Sequence, residues 1–319
     1  MNNVVDISFI VIGKNEGERL KICLRAVDKT IKSYPKIRFE VIYVDSKSTD
    51  GSIENVHKEF PAVKVFLVTG DCSAAIGRNI GGKEAIGEIF IFLDGDMEFQ
   101  SDFLATILDD NNHLKYPFCN GIGCNYNYTP DWQFINKTYV YKVEKDTYFD
   151  TSGGFFVIES KYWRELGGMD NRFVINEDID FSKKMFFKGI RVLKYASVSD
   201  IHHTIPYNIR NNMLWFSVRN QRYPMVIVRE HLFDKLMIKH NLIRLAMPFL
   251  FLLTVILSIV FRSIWLWIPY LLVSIIRTIR FTKVNIGYKL ISNILCDISQ
   301  LLAFFFFFPK KKEEKYVVA

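Results

Sequence analysis

Ile89-Phe90-Ile91-Phe92-Leu93-Asp94-Gly95-Asp96 decides how the chain is read. Five apolar residues without polar alternation suit a parallel strand buried on both faces. They stop at two carboxylates one residue apart. Such a pair, just past a buried strand, can grip one hard cation; Mg2+ and Mn2+ prefer oxygen ligands and leave positions for phosphate oxygens. An acidic pair in a turn is by itself an ordinary solvated loop. The strand before it, and the same layout elsewhere in the chain, raise it above that.

Two earlier runs share the layout. Ile7 to Ile12 leads into Gly13-Lys14-Asn15-Glu16, and Val41 to Val44 into Asp45-Ser46-Lys47-Ser48-Thr49-Asp50-Gly51. Helical patterns lie between: Glu18 to Ile31, Ser52 to Glu59 and Ala74 to Ala85. This alternation predicts an α/β domain with an open, mostly parallel sheet flanked by helices, whose ligands bind beyond the carboxyl ends of the strands. The polar clusters fall at those ends. Asp45 is placed to accept a hydrogen bond from a nucleobase. Asp50 and Ser52 serve equally as helix caps. Arg78-Asn79 precedes Gly81-Gly82 on the helix before the acidic strand. Arg78 is either a surface residue or a contact to a diphosphate or base.

Residues 100–150 are less regular and rich in Tyr, Asn and Asp. Ser152-Gly153-Gly154 precedes an apolar run from Phe155 to Ile158, and a helix follows from Lys161. Gly167-Gly168-Met169-Asp170 comes next, then Asn176-Glu177-Asp178-Ile179-Asp180-Phe181, which opens a helix to Lys188. Acidic residues in a first turn complement the helix dipole; Glu177 and Asp178 can also supply a general base to an acceptor hydroxyl. A last strand, Ile190 to Val198, leads to His202-His203. An imidazole there could complete a metal shell or meet a leaving phosphate.

The ordered set resembles glycosyltransferase family 2, with the A-type nucleotide-sugar-binding fold. Val11-Ile12-Gly13-Lys14-Asn15-Glu16 is similar to the family's first-strand signature, which often has Pro where Ile12 stands. Asp45 to Ser52 resembles its base-binding loop, with Lys47 in place of the usual Gly. Gly77-Arg78-Asn79 and Asp94-Gly95-Asp96 match its Ala-Arg-Asn element and metal motif, and the Gly153-Gly154, Gly167-Asp170 and Glu177-Asp180 segments follow in the family's order. The resemblance covers about residues 5–225. It implies an inverting transfer of a sugar from a nucleotide-sugar donor to an acceptor hydroxyl, on a lipid-linked or cell-surface glycan. Asp178 is then the base, with Glu177, Gly153 and Gly154 beside the acceptor. Ile12, Glu16, Asp45, Arg78 and Asp94 lie at the donor. Asp96, Asp94 and His202 (or His203) hold Mn2+ or Mg2+. Gln-x-x-Arg-Trp of the processive synthases is absent; Asn220-Gln221-Arg222-Tyr223 only echoes it. The alternatives are a transferase to polyprenyl phosphate, for which a base is hardly needed, and a non-catalytic membrane protein that binds nucleotide or glycan.

The chain has 319 residues, 50% hydrophobic, with 28 Phe and a net charge of +7. The surplus charge is local: residues 241–319 carry ten Lys and Arg against three Asp and Glu, while residues 1–240 balance. That argues against nucleic acid, which wants a basic face on a folded domain, and suits anionic lipid headgroups. Five scattered cysteines without CxxC spacing read as reduced thiols in the cytosol. The polar N-terminus followed directly by a strand carries no signal peptide. A catalytic domain over 1–235, facing the cytoplasm at the cell membrane, and a membrane-anchoring region over 236–319 are therefore expected. Asn208 to His240 reads as amphipathic, interfacial or packed on the core. Residues 242–276 form a hairpin turning near Arg262-Ser263, and 290–308 a re-entrant or interfacial segment. The Arg277–Lys289 stretch and the Lys310-Lys311-Lys312 tail both fall on the cytoplasmic side, which requires an even number of crossings.

Overall fold

The computed structural model describes residues 5–206, 218–235, 237–281 and 285–319. The chain forms two compact units, residues 1–209 together with 311–319, and residues 210–310. The expected boundary near residue 235 thus falls inside the second unit, and the last nine residues belong with the first.

The first unit is built on one mixed sheet. β1 (Ile7–Gly13), β2 (Phe39–Asp45), β3 (Lys64–Val68) and β4 (Ile89–Asp94) are parallel, in the order β3-β2-β1-β4. α1 (Glu18–Ser33), α2 (Ser52–Glu59) and α3 (Ala74–Glu84) connect them. The unbroken apolar runs are explained by burial on both faces. Ile7, Phe9 and Val11 of β1 and Ile89, Ile91 and Leu93 of β4 face the side covered by α1. Ile10, Ile12, Phe90 and Phe92 face α3. There Phe92 lies 4.7 Å from Phe156 and 4.4 Å from Trp163, contacts that add about 0.5–1.5 kcal/mol per aromatic pair to burial itself.

Past β4 the sheet departs from the mostly parallel expectation. β9 (Phe156–Glu159) runs antiparallel to both β4 and β6 (Phe118–Tyr128). β10 (Val192–Thr204) is parallel to β6, and β5 (Met97–Phe99) antiparallel to β10. β7 (Phe134–Val140) makes a hairpin with β6, and β8 (Thr147–Phe149) pairs with β10. The stretch from 100 to 150, irregular in sequence, thus carries three strands and a short helix α4 (Asp102–Ile107). β7 exposes nearly every residue, so it leaves no buried-strand pattern. α5 (Ser160–Leu166) and α6 (Glu177–Phe187) pack on the α3 side, and Phe181 of α6 is 4.9 Å from Trp163.

β11 (Tyr316–Val318) closes the sheet, antiparallel to β3. Thr69 and Gly70 donate backbone N–H to Lys315 O (2.8 and 3.1 Å), and Ala319 N donates to Val65 O (3.0 Å). Tyr316 meets Phe66 edge-on at 5.9 Å.

The second unit is helical: α7 (Tyr223–Glu230), α8 (Ile238–Val260), a 3-10 turn over Ile264–Trp267, α9 (Ile268–Phe281) and α10 (Ile286–Phe306). Arg229 of α7 caps the end of α10, donating to the carbonyls of Phe304 (2.8 Å) and Phe307 (2.9 Å). Asp297 of α10 accepts both arms of Arg277 (3.0 and 2.8 Å) and the Tyr270 hydroxyl (3.0 Å), both from α9. Among the described residues, Asn241–Val260 and Ile286–Phe306 are long and apolar enough to cross a membrane. The second of these is the segment expected to be re-entrant. α9, expected as one limb of a hairpin, has 14 residues. Of the amphipathic stretch from Asn208 to His240, Trp215 and Phe216 lie outside the described residues.

Candidate active site

The site lies where β1, β2 and β4 end. Gly95 N donates to Ile12 O at 2.7 Å, so the first strand holds the acidic turn in place. The Ile12 side chain is buried against Gly77 of α3, and only its backbone serves the site. Asp45 is fully buried; it accepts the Tyr43 hydroxyl (2.7 Å) and Ser48 N (2.7 Å). Both oxygens are engaged within the β2 end and its loop. Lys47, in place of the usual Gly, takes a φ of +64° and ties itself to Gly70 O at 2.6 Å.

Arg78 organises the centre. Only 2% exposed, it donates to Glu177 Oε1 (2.9 Å), Asp94 Oδ1 (2.6 Å) and the Gly154 carbonyl (3.2 Å). One guanidinium thus joins α3, the end of β4, the Gly153-Gly154 loop and the start of α6. One of the two glycines follows from its backbone conformation and the other from this packing. Gly153 has φ +90°, and a Cβ on Gly154 would stand 2.9 Å from Asp94 Oδ2 and 3.4 Å from the Arg78 guanidinium. The clamp assigns the acidic pair of α6. Glu177 is buried and spent on Arg78; burial, with the charge of Asp178, pushes its carboxyl up against the pull of Arg78. Asp178 is half-buried, and its Oδ1 accepts the neighbouring Ile179 N at 2.8 Å. Asp180 is paired with Lys184 at 2.7 Å.

Asp96 meets His202. Asp96 Oδ2 lies 3.1 Å from His202 Nε2 and 3.3 Å from Arg19, which also grips Glu16 at 2.6 Å. Neighbouring residues of a strand face opposite ways, so His203 turns to Tyr128 (3.0 Å) and Glu98 (3.3 Å). Of the two histidines, it is therefore His202 that lies beside Asp96. Burial disfavours its charged form, but the hydrogen bond and charge of Asp96, with Asp94 and Asp200, raise its pKa above the usual value. Glu16 is pushed up to about 7 by burial and by the charges of Asp96 and Asp94. Asp94 is raised by burial and Asp96, despite Arg78.

That surplus of negative charge is the test of whether a divalent cation fits. The described residues hold no set of three His, Cys, Asp or Glu at coordinating distance, because Asp94 is turned to Arg78. One carboxylate and one imidazole converge, with two more carboxylates destabilised in their charged form beside them. This donor set fits a cation that keeps its other positions for water and phosphate.

Sequence reasoning passed over Arg19, three residues after Glu16 at the start of α1, and Trp132, whose ring lies 4.6 Å over the Arg19 guanidinium. It also passed over Asp200, which stands two residues before His202 on β10 and so shares its face. That period-two spacing was the available signal.

A model of the glycosyl transferase family 2 matches residues 8–167, half of the chain, and the chain belongs to that family. A putative polypeptide N-acetylgalactosaminyltransferase 10 of Caenorhabditis briggsae is 31% identical over 176 residues, covering 46% of this chain and 28% of that protein. The glycosyltransferase AglE of Haloferax volcanii is 24% identical over 216 residues, 63% of this chain and 68% of its own. Among solved structures, GalNAc-T7 with UDP, GalNAc and Mn2+ superposes with a TM-score of 0.51 at 19% identity, over 66% of this chain and 45% of that one. At that identity the likeness shows a shared fold. The chain spans 28% of the length of the first relative and 45% of that of the solved structure.

Proposed function

We propose that the protein transfers a glycosyl unit from a nucleotide-sugar donor to an acceptor hydroxyl, with inversion and in one displacement. The observation that carries this is the Arg78 clamp: it fixes Asp94 and Glu177 together, and Asp178, the next residue of α6, is near enough to Asp94 for its charge to act on that carboxyl. The acceptor oxygen attacks the anomeric carbon, the bond from that carbon to the diphosphate breaks, and the nucleoside diphosphate leaves with the bonding pair. Asp178 takes the hydroxyl proton as the general base. A divalent cation held by Asp96 and His202 would supply Lewis-acid stabilisation of the departing diphosphate. UDP and Mn2+ are the donor nucleotide and metal to try first, since both are bound in the structure of GalNAc-T7.

The two long apolar helices support a membrane anchor, and their basic surroundings support a catalytic unit on the cytoplasmic side. Anchoring raises the effective concentration of a lipid-linked acceptor. The test is Asp178→Asn in the full chain in nanodiscs. Turnover of the donor should fall about a hundred- to ten-thousand-fold, while calorimetric affinity for UDP with Mn2+ holds. Lost UDP affinity with retained turnover at saturation would remove Asp178 from the role. Asp96→Ala is the companion: it should abolish the Mn2+-dependent part of UDP binding.

A further inference from the structure

Beside the Asp96–His202 pair lies a cavity of about 150 Å3. Its wall includes three buried polar side chains rooted in the sheet, Asn120 on β6 and Lys194 and Asp200 on β10, besides Asn125 and His202. They are 4%, 6% and 4% exposed. Asn120 donates Nδ2 to the Ser152 carbonyl at 2.6 Å, and its Oδ1 has no donor among the described residues. Lys194 gives one N–H to Gly121 O at 2.6 Å and has two more to give. Asp200 accepts the Ser199 hydroxyl on Oδ1 at 2.6 Å, and its other oxygen lies on the Gly123 side. Burying polar groups without partners costs free energy, and a cavity of this composition is built for a polar occupant.

The position of the cavity says which occupant. Gly153, Gly154 and His202 also line it. Gly154 abuts Asp94 and Arg78, and His202 bonds Asp96. In a nucleotide-sugar, one oxygen joins the glycosyl unit to the diphosphate. A diphosphate at the Asp94–Asp96 turn therefore leaves its sugar only a few bonds away, at the cavity mouth.

We propose that Asn120, Lys194 and Asp200 are the specificity-determining residues of the reaction, forming the pocket that selects the glycosyl unit. Asn120 Oδ1 and Asp200 accept from ring hydroxyls or an amide N–H, and Lys194 donates to a ring substituent. This rests on the donor reading above.

The experiment is calorimetry on the full chain in nanodiscs with Mn2+. It compares UDP with a panel of UDP-hexoses and UDP-N-acetylhexosamines, and reads the gain in affinity that the sugar adds. Two variants are measured: Asp200→Asn, and Gly123→Ala. The latter's new Cβ would stand 3.5 Å from Asp200 Oδ2 and 3.9 Å from Val140, ordinary contacts that leave the fold intact while reducing the pocket. In each variant the gain for the preferred UDP-sugar should fall about ten-fold or more, as for loss of a hydrogen bond to a charged group, with UDP itself held within about two-fold. An unchanged gain in both variants overturns the pocket and leaves the donor reading standing. A parent protein that binds no UDP overturns the donor reading and the pocket with it.

Discussion

Arg78 shows how far a single residue can be read from its neighbours in sequence. The Gly77-Arg78-Asn79 spacing singled it out as a contact to diphosphate or base. In the fold its guanidinium is spent on Asp94, Glu177 and the Gly154 carbonyl. Removing it leaves two carboxylates facing each other. Breaking a buried pair costs about 3–5 kcal/mol, so Arg78→Gln should lower the melting temperature by on the order of 10 °C for a domain of this size. Arg78→Lys should recover little of it, because an ammonium cannot span the fork geometry. Differential scanning fluorimetry checks this; an Arg78→Gln protein that melts within a degree or two of the parent would refute the clamp. The choice between Glu177 and Asp178 was equally closed to sequence. Adjacent helical residues project in different directions, and which of them meets a guanidinium from α3 is a matter of packing.

At the scale of elements, the apolar strands β1, β2 and β4 and their helices were legible, because burial on both faces writes itself as continuous Ile, Val and Phe. β10 was legible in part: its end at Thr204, past His202-His203, carries polar residues that continue the strand. The tail strand β11 was not legible. Tyr316-Val317-Val318 is too short to announce itself, and it exists only because β3 offers an unpaired edge. Glu314 reinforces the docking by accepting from Asn79 (2.8 Å) and Asn171 (3.0 Å), and Tyr316 donates to Glu84 at 2.5 Å. A chain ending at Lys312 should therefore lose thermal stability and expose the Lys-Val-Phe-Leu-Val edge of β3, a template for intermolecular pairing. Size-exclusion chromatography should show association in the truncated protein and not in the parent; a monodisperse truncated protein with the parental melting temperature would count against the strap.

At the scale of the whole molecule, the same tail constrains any membrane topology. Residues 210–310 leave the catalytic unit and the chain rejoins it through β11. A segment that does so and enters a bilayer crosses it an even number of times. Three crossings by α8, α9 and α10 are incompatible with that pairing. Epitope tags at the two termini should therefore be protected or exposed together in intact spheroplasts; one exposed and one protected would break the β11–β3 pairing or the membrane reading. The Lys and Arg clusters carry the same expectation of an even count by a separate physical route. The sequence by itself determined the class of fold, the order of the site segments and the presence of a greasy C-terminal region, since these are written in local runs of residue type. Only the tertiary structure decided which carboxylates are spent and which are open, that His202 and not His203 meets Asp96, and that the tail returns to the sheet. Each of those depends on side chains or edges separated by up to more than two hundred residues, whose meeting is fixed by packing and not by any local pattern.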